Sequence, residues 1–425
     1  MREDKESSGP GHPVLKDAKA SQPPGQNPVA EPSLQLDSEP APAPGTVPHA
    51  AVPAMRHLEA RYGPPKARML LTHPPRNAYG RWGHTFAAVD LGTNNCRLLI
   101  ARPHQTGFRV LDAYSRTVRL GEGLTASGVL SDTAMSRALD ALRTCATKIE
   151  RRGVTRIRAV ATEACRTAAN AEAFVAAAQS ETGVKFEIIT AKEEARLAVE
   201  SCASLLDHNC DDVLVFDIGG GSTELVWLDL TRPRKIGAPL PIRAWTSIPL
   251  GVVSLTERVG RREGASLRDI YRAMVEETVS AFSSFAPAEA ARTALRNGRA
   301  HMVGNSGTVT TIASVLLGLP RYDRAQVDGA WVSLSQATKA AHELSTRPLS
   351  ERIAHPCVGA ERADLLLPGA AILEAIHTVW PCERLRVADR GLREGVLLSL
   401  MSRADREARQ RRAGKGDPAP VPQAS

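Results

Sequence analysis

The sequence predicts a mixed α/β protein made of two copies of one domain that frame a cleft. Three observations carry that expectation. Short apolar strands alternate with helical stretches from about residue 84 to 403. One segment occurs twice: Phe86-Ala-Ala-Val-Asp90-Leu-Gly92 followed by Thr-Asn-Asn, and Val213-Leu-Val-Phe-Asp217-Ile-Gly219 followed by Gly-Gly-Ser. Each copy is an apolar strand, Asp-x-Gly, three small or polar residues and a second apolar strand. The copies lie too far apart for a solenoid. Finally, Asp207-His-Asn-Cys-Asp-Asp breaks the apolar pattern and sets a domain boundary near 207–212.

The elements follow from pattern. Phe86–Val89 and Leu98–Ala101 read as strands around the first turn. Ser131 is placed to cap a helix to Arg151, in which Leu139, Leu142, Ala146 and Ile149 keep a 3–4 spacing. Arg156–Ala161 reads as a strand, Ala171–Thr182 as a helix, Phe186–Ile189 as a strand and Lys192–Leu206 as a helix. Val213–Phe216 and Glu224–Leu228 flank the second turn. Leu267–Phe282 is helical. His301–Val303 leads through Gly304-Asn-Ser-Gly-Thr308 into another helix. Leu365–His377, the strand Leu385–Val387 and the helix Leu392–Arg403 complete the core.

Outside that core the composition changes. About half of the 29 prolines fall in residues 1–80, a segment expected to be disordered. Residues 404–425 are expected to form a disordered basic tail. The domains are therefore expected at 81–210 and 211–403. No apolar run is long enough for a transmembrane helix, and no secretory h-region is present. Seven cysteines stand singly, without a C-x-x-C pair, which points to a reducing cytoplasm rather than to disulfides or structural zinc. The net charge of +8 suits an anionic partner, while 4% aromatics argues against base stacking, so no nucleic acid is expected. A homodimer is compatible with the sequence.

The turns suggest chemistry. Glycine allows close backbone approach, and successive N–H groups form an anion nest. That gives Gly92, Thr93, Asn94 and Asn95 in one copy, and Gly219, Gly220, Gly221, Ser222 and Thr223 in the other, as candidate phosphate binders. Asp90 and Asp217 place a carboxylate beside each nest. A carboxylate beside a phosphate asks for a cation between them, and Mg²⁺ (or Mn²⁺) favours carboxylates plus phosphate oxygens. The alternative is that each Asp only caps its turn. Ser306 lies in a third glycine loop ahead of a helix. Arg166 follows a strand and is a natural phosphate clamp. The basic residues Arg151, Arg152, Arg156 and Arg158 fit either a polyanion track or a solvated face. Thr190 and Glu193 match a capping box, which leaves Glu194 about 100° further round the helix. Spacing leaves two readings of Glu194: a base that activates water, or a first-turn acid favoured by the helix dipole.

Taken together, these motifs resemble the exopolyphosphatase and guanosine pentaphosphate phosphohydrolase family. The matching pieces are Val89-Asp-Leu-Gly-Thr-Asn94, Ala161-Thr-Glu-Ala-Cys-Arg166, Glu193-Glu-Ala-Arg196, Phe216-Asp-Ile-Gly-Gly-Gly-Ser-Thr-Glu224, Leu250-Gly-Val-Val, Gly304-Asn-Ser-Gly-Thr308 and Ala388-Asp-Arg-Gly-Leu-Arg-Glu-Gly395. The resemblance implies two ribonuclease-H-like domains of the actin, sugar kinase and Hsp70 ATPase type, with the last helix packed back on the first domain. It also implies Mg²⁺-dependent hydrolysis of a terminal phosphoanhydride of inorganic polyphosphate. Glu194 would then be the catalytic glutamate. Asp217 and Glu224 would hold the metal and position the water, and Asp90 would be the acid of the first phosphate motif. Arg166 and the Gly219–Thr223 loop would form the clamp. Asn95 stands where the family usually carries Ser or Thr, and its amide still donates. Longer members add helical C-terminal domains, so a weaker processive grip on long chains is expected here. Rival readings are guanosine pentaphosphate as substrate, a non-catalytic guanosine tetraphosphate sensor, and a sugar or acetate kinase.

Overall fold

The computed structural model describes residues 80–105, 107–231, 239–260, 264–285 and 288–413. The Pro-rich segment up to residue 79 and the end from residue 414 lie outside the described residues.

The first lobe is a five-stranded sheet of β1 (Phe86–Leu91), β2 (Asn95–His104), β3 (Gly107–Thr117), β4 (Arg156–Ala161) and β5 (Phe186–Ile188), in the order β3-β2-β1-β4-β5. β1 pairs antiparallel with β2 and parallel with β4. Because side chains alternate along a strand, β1 feeds two cores. Ala87, Val89 and Leu91 pack with the helices α1 (Asp132–Arg151), α2 (Glu163–Thr167) and α3 (Ala171–Thr182). Phe86 and Ala88 face the other side. Ser131 caps α1 as its sequence predicts, accepting from Ala134 N at 3.3 Å.

The second lobe holds β6 (Asp212–Ile218), β7 (Thr223–Asp229), β8 (Ile242–Ile248), β9 (Ala300–Asn305), β10 (Trp331–Ser333) and β11 (Arg384–Ala388), in the order β10-β11-β9-β6-β7-β8. Its first five positions, read from β8, repeat the first sheet strand for strand, with β10 added at the far edge. The sequence repeat is thus a structural repeat of two ribonuclease-H-like sheets. One face packs on α6 (Leu267–Phe282) and α9 (Leu366–Val379), around Leu214, Phe216, Leu225 and Trp227.

The layer between the lobes positions the site. It consists of α4 (Ala191–Ser201) and the last helix, α10 (Leu392–Ala413). Leu197 of α4 joins the first lobe's core, whereas Ala195 and Val199 join the second lobe's. Gly395 of α10 lets the two helices touch, since a Cβ there would come 2.0 Å from Leu197 O. α10 packs on the first sheet through Val396, Leu397, Leu400, Met401 and Ala404, as expected for the last helix.

Two expectations are corrected here. The helix expected over 192–206 ends at Ser201, and a single 3₁₀ turn covers Ala203–Leu205. The basic tail expected from residue 404 is helical to Ala413. Ala404 and Ala408 are buried. Asp405 accepts from Arg81 N at 2.9 Å, and Glu407 from Arg156 Nη2 at 2.8 Å. The arginines of the segment hid an apolar stripe that continues from Met401.

Candidate active site

Both Asp-x-Gly turns close with the same hydrogen bond. Gly92 N–H donates to Asn95 O at 2.9 Å, and Gly219 N–H to Ser222 O at 2.9 Å. The turns meet across the cleft: a Cβ on Gly220 would lie 3.0 Å from Thr93 Cβ and 3.2 Å from Asn94 N. The helix α5 (Val252–Val259) buttresses the second turn from behind. Val252 N donates to Gly219 O at 3.0 Å and Val253 N to Gly220 O at 2.7 Å. A cavity of about 330 Å³ opens between the lobes. Gly92, Thr93, Asn94 and Asn95 line it from the first lobe, and Gly219, Gly220, Gly221 and Ser222 from the second. Asn94 Oδ1 is buried and unpartnered among the described residues. Asn95 Oδ1 accepts from Thr117 Oγ1 at 3.1 Å. Ser306 also lines the cavity, while its Oγ caps the helix α7 (Gly307–Leu316) by accepting from Thr308 N at 2.9 Å.

Asp90, Glu194, Asp217 and Glu224 line this cavity, with Glu163 and Asp389 also on its wall. Asp90 ends β1 and Asp217 ends β6, so the repeat delivers them as a pair. Glu224 faces Asp217 across the β6–β7 register, and Glu194 comes from α4, between the lobes. Burial, then the Glu224 charge, pushes Glu194 up to about 8, against the opposing pull of Arg166. Burial and the Glu194 charge push Asp217 up to about 7, although Asn305 Nδ2 donates to it at 2.9 Å. Glu224 rises to about 7 through burial and the Asp217 charge, even though Ser222 Oγ and Ser247 Oγ each donate to it at 2.7 Å. Burial raises Asp90 as well, opposed by Arg97 and Arg393.

Three sequence-based assignments change. Arg166 does not line the cavity. Its Nη1 donates to Glu194 Oε2 at 2.6 Å and to Ile189 O at 3.0 Å, and its Nη2 donates to Glu163 Oε2 at 2.6 Å. Both ends of the fork are thus occupied, one by Glu194 and the other by Glu163. Thr223 is fully buried and donates to Leu250 O at 2.6 Å, so it supports the turn from behind. Thr190 Oγ1 accepts from Glu193 N at 3.2 Å, but the Glu193 carboxylate pairs with Arg158 and Arg196 instead of completing a capping box. Most of the basic cluster is consumed in the same way: Arg152 pairs with Asp112, Arg156 with Glu407 and Arg158 with Glu187.

Arg97 and Arg393 line the cavity and were missed from sequence. The signal for Arg97 was present, because it occupies in the first copy the position that Glu224 holds in the second. Among the described residues no three His, Cys, Asp or Glu side chains form a metal cage. Mg²⁺ needs only one or two carboxylates when phosphate supplies further oxygens. Asp90, Asp217 and Glu224 fit that demand: they are hard oxygen donors that line one cavity together.

The profile of the Ppx/GppA phosphatase family matches residues 99–404. The chain belongs to the Ppx/GppA phosphatase family. Its relatives include a guanosine-5'-triphosphate,3'-diphosphate pyrophosphatase of Photobacterium profundum, 30% identical over 75% of this chain and 59% of the relative. The chain therefore spans only 59% of that relative's length. An exopolyphosphatase 2 of Mycobacterium tuberculosis is 29% identical over 74% of this chain and 98% of the relative. The crystal structure of an Aquifex aeolicus Ppx/GppA family member superposes with a TM-score of 0.59 at 28% identity, covering 74% of this chain and 97% of that one. An exopolyphosphatase from Cytophaga hutchinsonii shares the fold at 22% identity, with a TM-score of 0.65 over 75% of this chain and 97% of that one. In this Ppx/GppA chain, no helix among the described residues is long and apolar enough to cross a membrane.

Proposed function

We propose that the chain is an exopolyphosphatase, which hydrolyses the terminal phosphoanhydride of inorganic polyphosphate and releases orthophosphate. The observation that carries this reading is the placement of Glu194. It sits half-buried between the lobes, is held by Arg166 at 2.6 Å, and shares one cavity with two glycine turns.

Water attacks the terminal phosphorus in line. A P–O bond forms, the bridging P–O bond breaks, and the shortened chain leaves with the bridging oxygen. Glu194 takes the proton of the attacking water. The N–H groups of Thr93 and Asn94 in one turn and of Gly220 and Gly221 in the other hold the phosphoryl oxygens, since those of Gly92 and Gly219 close the turns. They are already aligned, so no dipole has to reorient as charge develops. Asp90, Asp217 and Glu224 would hold Mg²⁺, which supplies neutralisation of phosphate charge. Arg166 orients Glu194 and keeps more of it ionised. The seven cysteines are free and buried, which supports a reducing cytoplasmic setting.

Relatives named for polyphosphate and for the guanosine nucleotide match this chain about equally, at 29% and 30% identity, so the two substrates are compared directly. Phosphate release from the two substrates, measured side by side, tests this. A higher kcat/KM for polyphosphate is expected. The reverse would make the nucleotide the substrate, and release from neither would overturn the hydrolase reading.

A further inference from the structure

Each glycine turn is held from behind by its carbonyls. In the second lobe, Gly219 O and Gly220 O accept from Val252 N and Val253 N at the start of α5. In the first lobe the segment Val118–Gly123 does the same. Val118 N and Arg119 N both donate to Asn94 O at 2.9 Å, and Gly121 N donates to Thr93 O at 2.9 Å. A peptide is planar and trans, so its N–H points opposite to its C=O. Pulling back Thr93 O therefore aims Asn94 N–H away from the segment. Pulling back Gly219 O and Gly220 O aims the N–H groups of Gly220 and Gly221 away from α5. Asn94, Gly220 and Gly221 all line the cavity.

Val118–Gly123 is a strap fixed at several points. Arg137 Nε donates to Val118 O at 2.9 Å and its Nη2 to Arg119 O at 3.2 Å. Gly121 approaches the first turn so closely that a Cβ would lie 2.3 Å from Thr93 Cγ2. Arg119 has φ 47°, a left-handed conformation that a residue with a side chain keeps only where its surroundings hold it.

The strap and α5 are joined across the cleft. Glu257, in the second half of α5, accepts from Gly123 N at 2.6 Å with one oxygen and from Thr125 N at 3.2 Å with the other. A carboxylate on two backbone donors makes charge-assisted hydrogen bonds, which are stronger than neutral ones. Arg119 Nη2 adds an ion pair with Asp364 of the second lobe at 2.8 Å, but both side chains are exposed and the pair is weak. α4 and α10 join the lobes by packing, whereas Glu257 joins the two elements that hold the turns.

We infer that Glu257 is a positioning residue that fixes the spacing of the two glycine turns, so that one phosphate chain meets donors of both lobes at once. This rests on the proposed phosphoanhydride substrate. Glu257 acts only through α5 and the strap. Without it, the spacing that fits the substrate is one among several, and apparent affinity falls with the fraction of molecules that hold it. A bound substrate restores that spacing, so turnover at saturation is kept.

The test reads geometry and kinetics separately in the full chain. Val129→Cys in the first lobe and Glu276→Cys in the second, both exposed positions, carry nitroxide labels, while the native cysteines are buried. Double electron–electron resonance then gives the distance between the lobes. Glu257→Ala should broaden the distance distribution and lengthen its mean, and saturating tripolyphosphate should narrow it again. In the unlabelled protein, Glu257→Ala should raise KM for tripolyphosphate about fivefold or more and leave kcat within about threefold of wild type. A merely structural role would lower the melting temperature without moving the label distance. Glu172→Ala, the loss of an exposed acid on α3, should leave distance and KM unchanged. If Glu257→Ala fails to fold, Glu257→Gln keeps the size but presents an NH₂ in place of one acceptor, and should show both effects in smaller degree. An unchanged label distance or an unchanged KM in a folded Glu257 variant would overturn the inference. If the labels move apart as expected while the wild type hydrolyses no tripolyphosphate, the positioning role stands and the substrate reading falls.

Discussion

Arg166 Nη1 meets Glu194 Oε2 at 2.6 Å while the same guanidinium grips Glu163, also at 2.6 Å. In the proposed reaction the arginine acts on Glu194, the base, rather than on the substrate. Glu194 must be ionised to accept a proton, and its raised value near 8 means that its active fraction grows as pH rises through that region. The wild-type kcat/KM should climb between pH 6 and pH 8, with Asp217 and Glu224 titrating in the same window as part of one coupled cluster.

Arg166→Gln removes the group that lowers Glu194, so the acid limb of the profile should move to higher pH. Activity at pH 7 should fall roughly tenfold and recover in part at alkaline pH. A pH–rate profile of kcat/KM decides. A phosphate clamp would give a different pattern, a raised KM with an unmoved limb.

Gly251 has no room for a side chain. A Cβ there would sit 2.5 Å from Gly219 O and 2.5 Å from Gly220 C, both rigid backbone. Gly251→Ala should cost about 1–3 kcal/mol of stability and disturb the second turn, raising KM. Denaturant melts and steady-state kinetics check both effects.

The last helix was only half legible in sequence. Leu392–Arg403 shows an apolar period, but the arginines beyond it concealed that Ala404 and Ala408 continue the stripe. Removing residues 404–425 should lower stability by roughly 1–2 kcal/mol from the two buried methyl groups alone. Removing only 414–425 should leave the melting temperature of the core unchanged.

Elements with one strong signal could be read directly. Ser131 announced α1, and the strand Arg156–Ala161 and the helices Ala171–Thr182 and Leu267–Phe282 fall as predicted. β3 was missed because it is an edge strand with Arg109, Asp112 and Arg116 on a half-exposed surface, so its pattern carries no clear period. β8 was missed for a similar reason: Arg243, Thr246 and Ser247 interrupt its apolar residues. In the site, the repeat exposed Asp90 and Asp217, because identical turns need identical residues. The role of Arg166 was not legible, since an arginine suits carboxylate and phosphate equally and only the fold sets which one it reaches. Arg97 could have been found by asking what the first copy places at the position that Glu224 holds in the second.

The carboxylates also make a metal prediction. Asp217→Asn should raise the Mg²⁺ concentration needed for half-maximal activity, and EDTA should abolish phosphate release, with Mg²⁺ or Mn²⁺ restoring it. A metal titration of initial rates reads the effect. Full activity in metal-free buffer would remove Asp90, Asp217 and Glu224 from that role.

The central claim is that Glu194 is the base, and single-turnover phosphate release from saturating polyphosphate tests it most directly. Glu194→Gln keeps the shape and the contact with Arg166 but cannot take the proton. The account predicts a loss on the order of 10²–10⁴ in rate, with substrate affinity changed far less. Glu193→Gln, which loses only its partly exposed pairs with Arg158 and Arg196, should stay within a few-fold of wild type. Near-wild-type turnover by Glu194→Gln would contradict the account.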